Sequence, residues 1–238
     1  ILEVISKSRN NQIKLPSLIN YDDEELESAF EEYSVGKKNK ILLGDMDIHR
    51  WKMDLEEDLL KLKRIHHGAS SVTPNRDEKL SDLLRIIDNK ITDPINEGNK
   101  KVLIFTAFAD TANYLYEHVS EYVKFKHGLN SALITGGGTN KTNMPGIKVT
   151  NMEDILVNFS PISKHRNKID ANASKEIDIL IATDTISEGQ NLQDADYLVN
   201  YDIHWNPVRV VQRFGRIDRI GSRNTQIQLV NFWPNMEL

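Results

Sequence analysis

Cysteine is missing from all 238 residues, which excludes a disulfide framework and any thiolate metal site. That absence agrees with a cytoplasmic origin, the compartment expected here. A basic surplus is missing too. Lys and Arg total 30 against 35 Asp and Glu, a formal charge of −5, so any grip on nucleic acid must come from local patches rather than overall attraction. No apolar run approaches the ~20 residues that span a bilayer, and the start carries no secretory pattern; no membrane partner is expected. His66 and His67 have no His, Asp or Glu three or four residues away. They make no metal site, and as neighbours they point to different helix faces, which places them at the surface.

Three nucleotide signatures are absent as well. No G-x-x-x-x-G-K-[ST] loop occurs. The stretch GGGTNKT at 136–142 fails the spacing, because Asn140 precedes Lys141 and Thr135 stands where the first glycine belongs. It reads as a plain turn or a loop near nucleic acid. No DExH or DEAD run follows a buried strand, so a phosphate cradle, magnesium ligands and a water-positioning acid are all wanting. No G-x-G-x-x-G follows the first strand, which argues against a dehydrogenase. The sequence starts at Ile1 and is expected to be cut from something longer.

What is present divides near residue 76. Residues 1–75 read as a helical linker or insertion, and 76–238 as the domain that carries chemistry. Residues 22–34 are acidic with few apolar positions, predicting a solvated helix or a partly ordered linker. Over 46–65, Ile48, Trp51, Leu55, Leu59, Leu62 and Ile65 recur at helical spacing, with Trp51 expected in a core. Residues 68–76 read as loop, and 77–91 as a helix striped by Leu80, Leu83, Leu84 and Ile87.

The texture changes at residue 101. KVLIFTAF (101–108) is a short apolar run, as expected of a strand covered on both faces, and SALIT (131–135), IDILIATD (177–184), DYLVNYD (196–202) and QIQLVNF (226–232) read as further strands. Residues 146–149 predict one more short strand. Helical patterns at 110–124 and 152–159 alternate with the strands. The fold class expected is α/β, a mostly parallel sheet with helices on both faces, preceded by a mostly helical N-terminal segment. Ligands gather at the carboxyl ends of such strands, so the loops after 106, 135, 183 and 202 are the place to look. KHRNK (164–168) is the most loop-like stretch of this half, and Trp233 is expected in the core or at a domain contact.

Two segments carry the chemistry. QRFGRIDRIG (212–221) sets Arg216 and Arg219 three residues apart behind Gly215, with Gln212 four residues ahead of Arg216. On a helix or tight turn this spacing brings both guanidiniums to one side. A planar cation that never loses its proton suits the charge on a transferring phosphoryl group. The plainer alternative is two surface arginines paired with Asp218 or Asp202. Against it, Arg209, Arg213, Arg216, Arg219 and Arg223 crowd fifteen residues that hold one acid, Asp218. Such a cluster repels itself unless an anion is near or its members face apart. In ATDTISEGQNL (182–192) an apolar strand ends at Thr183, and Ser187, Glu188, Gly189 and Asn191 follow in a turn. The glycine lets backbone approach a ligand, and Asn191 can hold a ribose hydroxyl. The alternative is a helix N-terminus capped by Thr183, Asp184 or Thr185. Pro207 is expected to open the next helix.

These segments, in this order, resemble the second RecA-like lobe of a superfamily 2 helicase, and more narrowly a bacterial SWI/SNF-type DNA translocase. KVLIFTAFADTANYL is similar to motif IV of that family, ILIATDTISEGQNLQDADYLVNYDIHWNP to motif V and its following strand, and VQRFGRIDRIG to motif VI. The resemblance implies that Arg216 and Arg219 are arginine fingers, positioned by Gln212. It implies that Glu188, Gly189, Asn191 and Gly215 border ATP held with Mg2+ mainly by a first lobe absent from this sequence. It sets Thr106, Gly136 and Thr183 near a nucleic-acid backbone, double-stranded DNA being the track expected. The partners implied are that nucleic acid and the N-terminal RecA-like lobe of the same chain. A non-catalytic docking module for nucleic acid or protein is the rival reading.

Overall fold

The computed structural model of the chain describes residues 34–36, 41–42, 47–136, 140–147, 151–170, 174–186, 190–204 and 206–233. Contacts divide the chain into two compact units, residues 1–76 and 77–238.

In the first unit two short strands, β1 (Ser34–Val35) and β2 (Ile41–Leu42), pair antiparallel. Ser34 apart, the acidic stretch 22–34 lies outside the described residues. Helix α1 spans Ile48–Ser70 and starts where the Asp47 carboxylate accepts the Arg50 N–H at 3.0 Å. Ion pairs one turn apart, Lys52–Glu56 and Lys61–Glu57, run along it. Trp51, expected in a core, is only half-buried, and Leu59, Leu62 and Ile65 are exposed. Periodicity predicted the helix but not the cover for its apolar face. The expected loop at 68–76 is shorter than read: α1 runs to Ser70, and Pro74–Arg76 form a 3-10 turn. His66 and His67 are exposed.

The second unit opens with α2 (Glu78–Thr92), capped by Asp77, which accepts the Leu80 N–H at 2.9 Å. Its stripe of Leu80, Leu83, Ile87 and Ile91 is buried. Then come β3 (Val102–Phe105), α3 (Ala109–His127), β4 (Ser131–Ile134), β5 (Lys141–Thr142), α4 (Met152–Phe159), β6 (Ile179–Ala182), β7 (Tyr197–Asn200), α5 (Pro207–Phe214) and β8 (Gln228–Asn231). Helix α3 ends at Gly128, whose φ of 69° is the left-handed turn that glycine takes without strain. The six strands lie in the order β5-β4-β6-β3-β7-β8, parallel throughout except β5, which runs antiparallel to β4.

Alternation along β3 explains why its sequence is apolar without a break. Val102 and Ile104 pack with α2 and α3, whereas Leu103 and Phe105 pack on the other face with Ile155, Leu156 and Phe159 of α4. Both faces are covered, so every position is apolar. The strand expected at 146–149 is not found in its described part. Residues 145–146 turn, with Gly146 at φ 87°, and the edge strand is Lys141–Thr142 instead. KHRNK is turn followed by a 3-10 helix at Arg166–Lys168, and it buries Arg166. Trp233 is 74% exposed and not in the core.

Candidate nucleotide and nucleic-acid interface

The carboxyl ends of β3, β4, β6 and β7 carry the predicted loops, and a polar network joins them. Thr106, one residue past β3, is fully buried, and its hydroxyl donates to the Asp202 carboxylate beyond β7. Lys79 of α2 donates to the other oxygen of Asp202 at 3.1 Å, with its ammonium 3.9 Å from the Tyr201 ring centroid. Burial raises the Asp202 pKa, but the bonds from Thr106 and Lys79 outweigh it and hold the carboxyl below its ordinary range. Thr106, expected near nucleic acid, thus spends its hydroxyl inside the fold.

Thr183 and Gly136 converge on one neighbour. The Thr183 hydroxyl lies 2.7 Å from that of Thr185. A Cβ built on Gly136 would stand 2.3 Å from Thr185 Cγ2, inside any tolerable contact. The loops after β4 and β6 therefore touch because residue 136 has no side chain. Thr183 is buried and Gly136 exposed.

Helix α5 presents the arginine segment. Asn206 caps it, accepting the Val208 N–H at 3.0 Å, and Pro207 takes the first turn as expected. The helix stops at Phe214. Arg216 and Ile217 continue as a tight turn, with Arg216 N–H bonded to Arg213 C=O at 3.1 Å. The two predicted fingers differ in environment. Arg216 is 9% exposed, whereas Arg219 is exposed with its Nε donating to Gly215 C=O at 3.2 Å. Gln212, Gly215 and Asn191 are half-buried, and Glu188 and Gly189 lie outside the described residues. Leu192 N–H donates to Arg216 C=O at 3.0 Å, which ties the 190–195 loop to the arginine turn. The Asn191 side chain accepts the Gln193 N–H at 3.3 Å.

The most embedded cation of the segment is one that the sequence did not single out for a role. Arg213 is 3% exposed. It grips Asp184 with two parallel bonds of 2.7 and 2.8 Å, donates to Asn200 Oδ1 at 2.9 Å and to Asp202 C=O at 3.0 Å, and lies 5.1 Å from the Phe105 ring centroid. One guanidinium thus holds the tips of β3, β6 and β7 together. Its signal was available: Asp184 and Asp202 each stand two residues beyond a strand end, where ligand-side groups collect. No group of three His, Cys, Asp or Glu that could hold a metal ion occurs among the described residues.

A mostly parallel six-stranded sheet, clothed by helices on both faces, defines an α/β lobe. Residues 78–221 match the family of the helicase conserved C-terminal domain, and the chain belongs to that family. Among its relatives is an uncharacterized ATP-dependent helicase, YqhH of Bacillus subtilis, 33% identical over 56% of this chain and 19% of that protein. Another is the RNA polymerase-associated protein RapA of Pectobacterium atrosepticum, 38% identical over 27% of this chain and 7% of that protein. The chain thus spans under a fifth of either relative. A crystal structure of the C-terminal part of the Fun30 ATPase domain aligns at 16% identity with a TM-score of 0.43, over 97% of this chain and 60% of that one.

Proposed function

We propose that the chain is the second motor lobe of an ATP-dependent translocase of the SWI/SNF type, moving on double-stranded DNA. Residues 1–75 serve it as a linker or insertion. ATP with Mg2+ belongs mainly to a first lobe on the same polypeptide, since this sequence holds no phosphate loop and no acidic magnesium motif. Arg216 and Arg219 then supply positive charge to the phosphoryl group as the lobes close, with Gln212 beside them and Asn191, Gly189, Glu188 and Gly215 along the nucleotide. Backbone amides and hydroxyls near Gly136 and Thr183 hold phosphates, so base sequence is not read.

The observation that carries this reading is the hydrogen bond from Leu192 to Arg216, which joins the two motif-bearing segments. Arg219→Ala in the full-length protein is expected to lower ATP turnover by about 10³-fold or more while DNA binding survives. Turnover that persists in that variant, or DNA binding that disappears with turnover intact, rejects the assignment. The burial of Arg216 favours a second reading, a lobe kept as a docking module. A full-length protein that binds DNA but shows no ATP turnover of its own supports that alternative.

A further inference from the structure

The stretch between α4 and β6 showed no periodicity in the sequence, yet the structure fastens it to the loop that follows β6. Lys164 lies in the turn after α4, with its side chain only 11% exposed. Its ammonium donates to Gln190 Oε1 at 2.7 Å and to Glu153 Oε1 at 2.8 Å. Two residues earlier the backbone takes hold of the far end of the same loop. The N–H groups of Ile162 and Ser163 both donate to the Asp194 carboxylate, at 2.7 and 2.9 Å. The loop is therefore held at residue 190 and at residue 194 by three consecutive residues of another segment.

Between those two anchors lies Leu192. Its side chain is fully buried, and its N–H donates to Arg216 C=O at 3.0 Å. The loop has little freedom to absorb a displacement at either end. Asn99 Nδ2 holds Asp194 C=O at 2.8 Å, and Asn224 Nδ2 holds Gln193 C=O at 2.9 Å. The Leu192 N–H is the link from these anchors to the backbone of Arg216.

We propose that residues 162–164 are a clasp that fixes the 190–194 loop and, through Leu192, the backbone of Arg216, with Lys164 as its positioning residue. The inference rests on the motor reading for its catalytic consequence and on geometry alone for the clasp. Lys164 acts through its contacts with Gln190 and Glu153 and not on substrate. A lysine here combines reach with a point charge that two acceptors share, one of them the Glu153 carboxylate at the first turn of α4.

Two measurements test it. In this chain, amide hydrogen exchange at Leu192 is expected to accelerate at least 10-fold in Lys164→Met, with the amides of β3 and β6 unchanged and Lys164→Arg close to the parent. Leu192 exchange equal to the parent overturns the clasp; acceleration spread over the whole sheet does so too, since it marks general destabilisation. In the full-length protein, Lys164→Met is expected to lower kcat for ATP hydrolysis about 3- to 10-fold, with KM for ATP and DNA affinity within twofold of the parent. Lys164→Arg is expected to restore at least half of the lost rate. An unaltered kcat, or a loss carried by KM and not rescued by arginine, overturns the positioning role. A parent protein without ATP turnover sinks the motor reading and the catalytic half of this one, whereas the exchange experiment decides the clasp independently.

Discussion

Gly136 and Arg213 show how single side chains set the strand tips. At Gly136 the requirement is space: the Cβ position is already taken by Thr185 Cγ2 at 2.3 Å. Gly136→Ala is expected to destabilise the chain by about 1–3 kcal/mol, the usual penalty of overpacking. Thr185→Ser removes the offending methyl and should recover most of that loss, a comparison that urea unfolding makes directly. At Arg213 the requirement is charge. Its bidentate pair with Asp184 is 3% exposed on one side and 29% on the other. Arg213→Met leaves a carboxylate without its partner, and the expected loss is about 3 kcal/mol. Adding Asp184→Leu should return part of it, because the pair and not either member sets the penalty. If the single variant unfolds at the same urea concentration as the parent, the network at the strand tips contributes no stability.

Helices α2 and α3 are braced by one carboxylate. Asp88 of α2 meets Tyr122, Lys126 and His127 of α3. Burial raises its pKa, but hydrogen bonds from Lys126, Tyr122 and His127 prevail and bring it down to about 2. A depressed carboxyl contributes stability that is fully present above roughly pH 4 and is lost as pH falls through about 2. Asp88→Asn should lower stability at neutral pH by roughly 1 kcal/mol and flatten the acid limb of a stability–pH curve. An acid limb unchanged by the substitution removes Asp88 from the account.

Element by element, the sequence was readable where one rule governed many residues. Strands β3, β4, β6 and β7 announced themselves because both faces are covered and their polar residues, Ser131 and Asn200, stand only at strand ends. Helix α4 was legible to the residue, since Ile155, Leu156 and Phe159 are spaced for one face. The two-residue β5 and the 3-10 turn at 166–168 are too short to hold a period. The site divided in the same way. The arginine spacing after Gly215 is local and visible. The Arg213–Asp184 pair and the Lys164–Gln190 contact join residues far apart in sequence; the place of Asp184 just past a strand end hints at the first, and no pattern along the chain marks the second.

For the whole molecule, what the sequence lacks predicts as much as what it holds. With neither a phosphate loop nor an acidic magnesium motif, the 238-residue chain should hydrolyse ATP no faster than buffer. A phosphate-release assay on the purified chain checks this. Turnover that survives Arg216→Ala contradicts the idea that its cations complete a pocket supplied elsewhere.

The strand order bears on how the polypeptide is made. β3, first of the large sheet to leave the ribosome, ends up at its middle, with Val102 in register with both Ile179 and Tyr197. Neither flank of β3 can be filled until β6 and β7 have been synthesised, so pairing is non-local and slow. A nascent chain from which β6 has emerged but β7 has not carries one bare side of its central strand at the crowded tunnel exit, and at that stage of translation a chaperone has the most to protect.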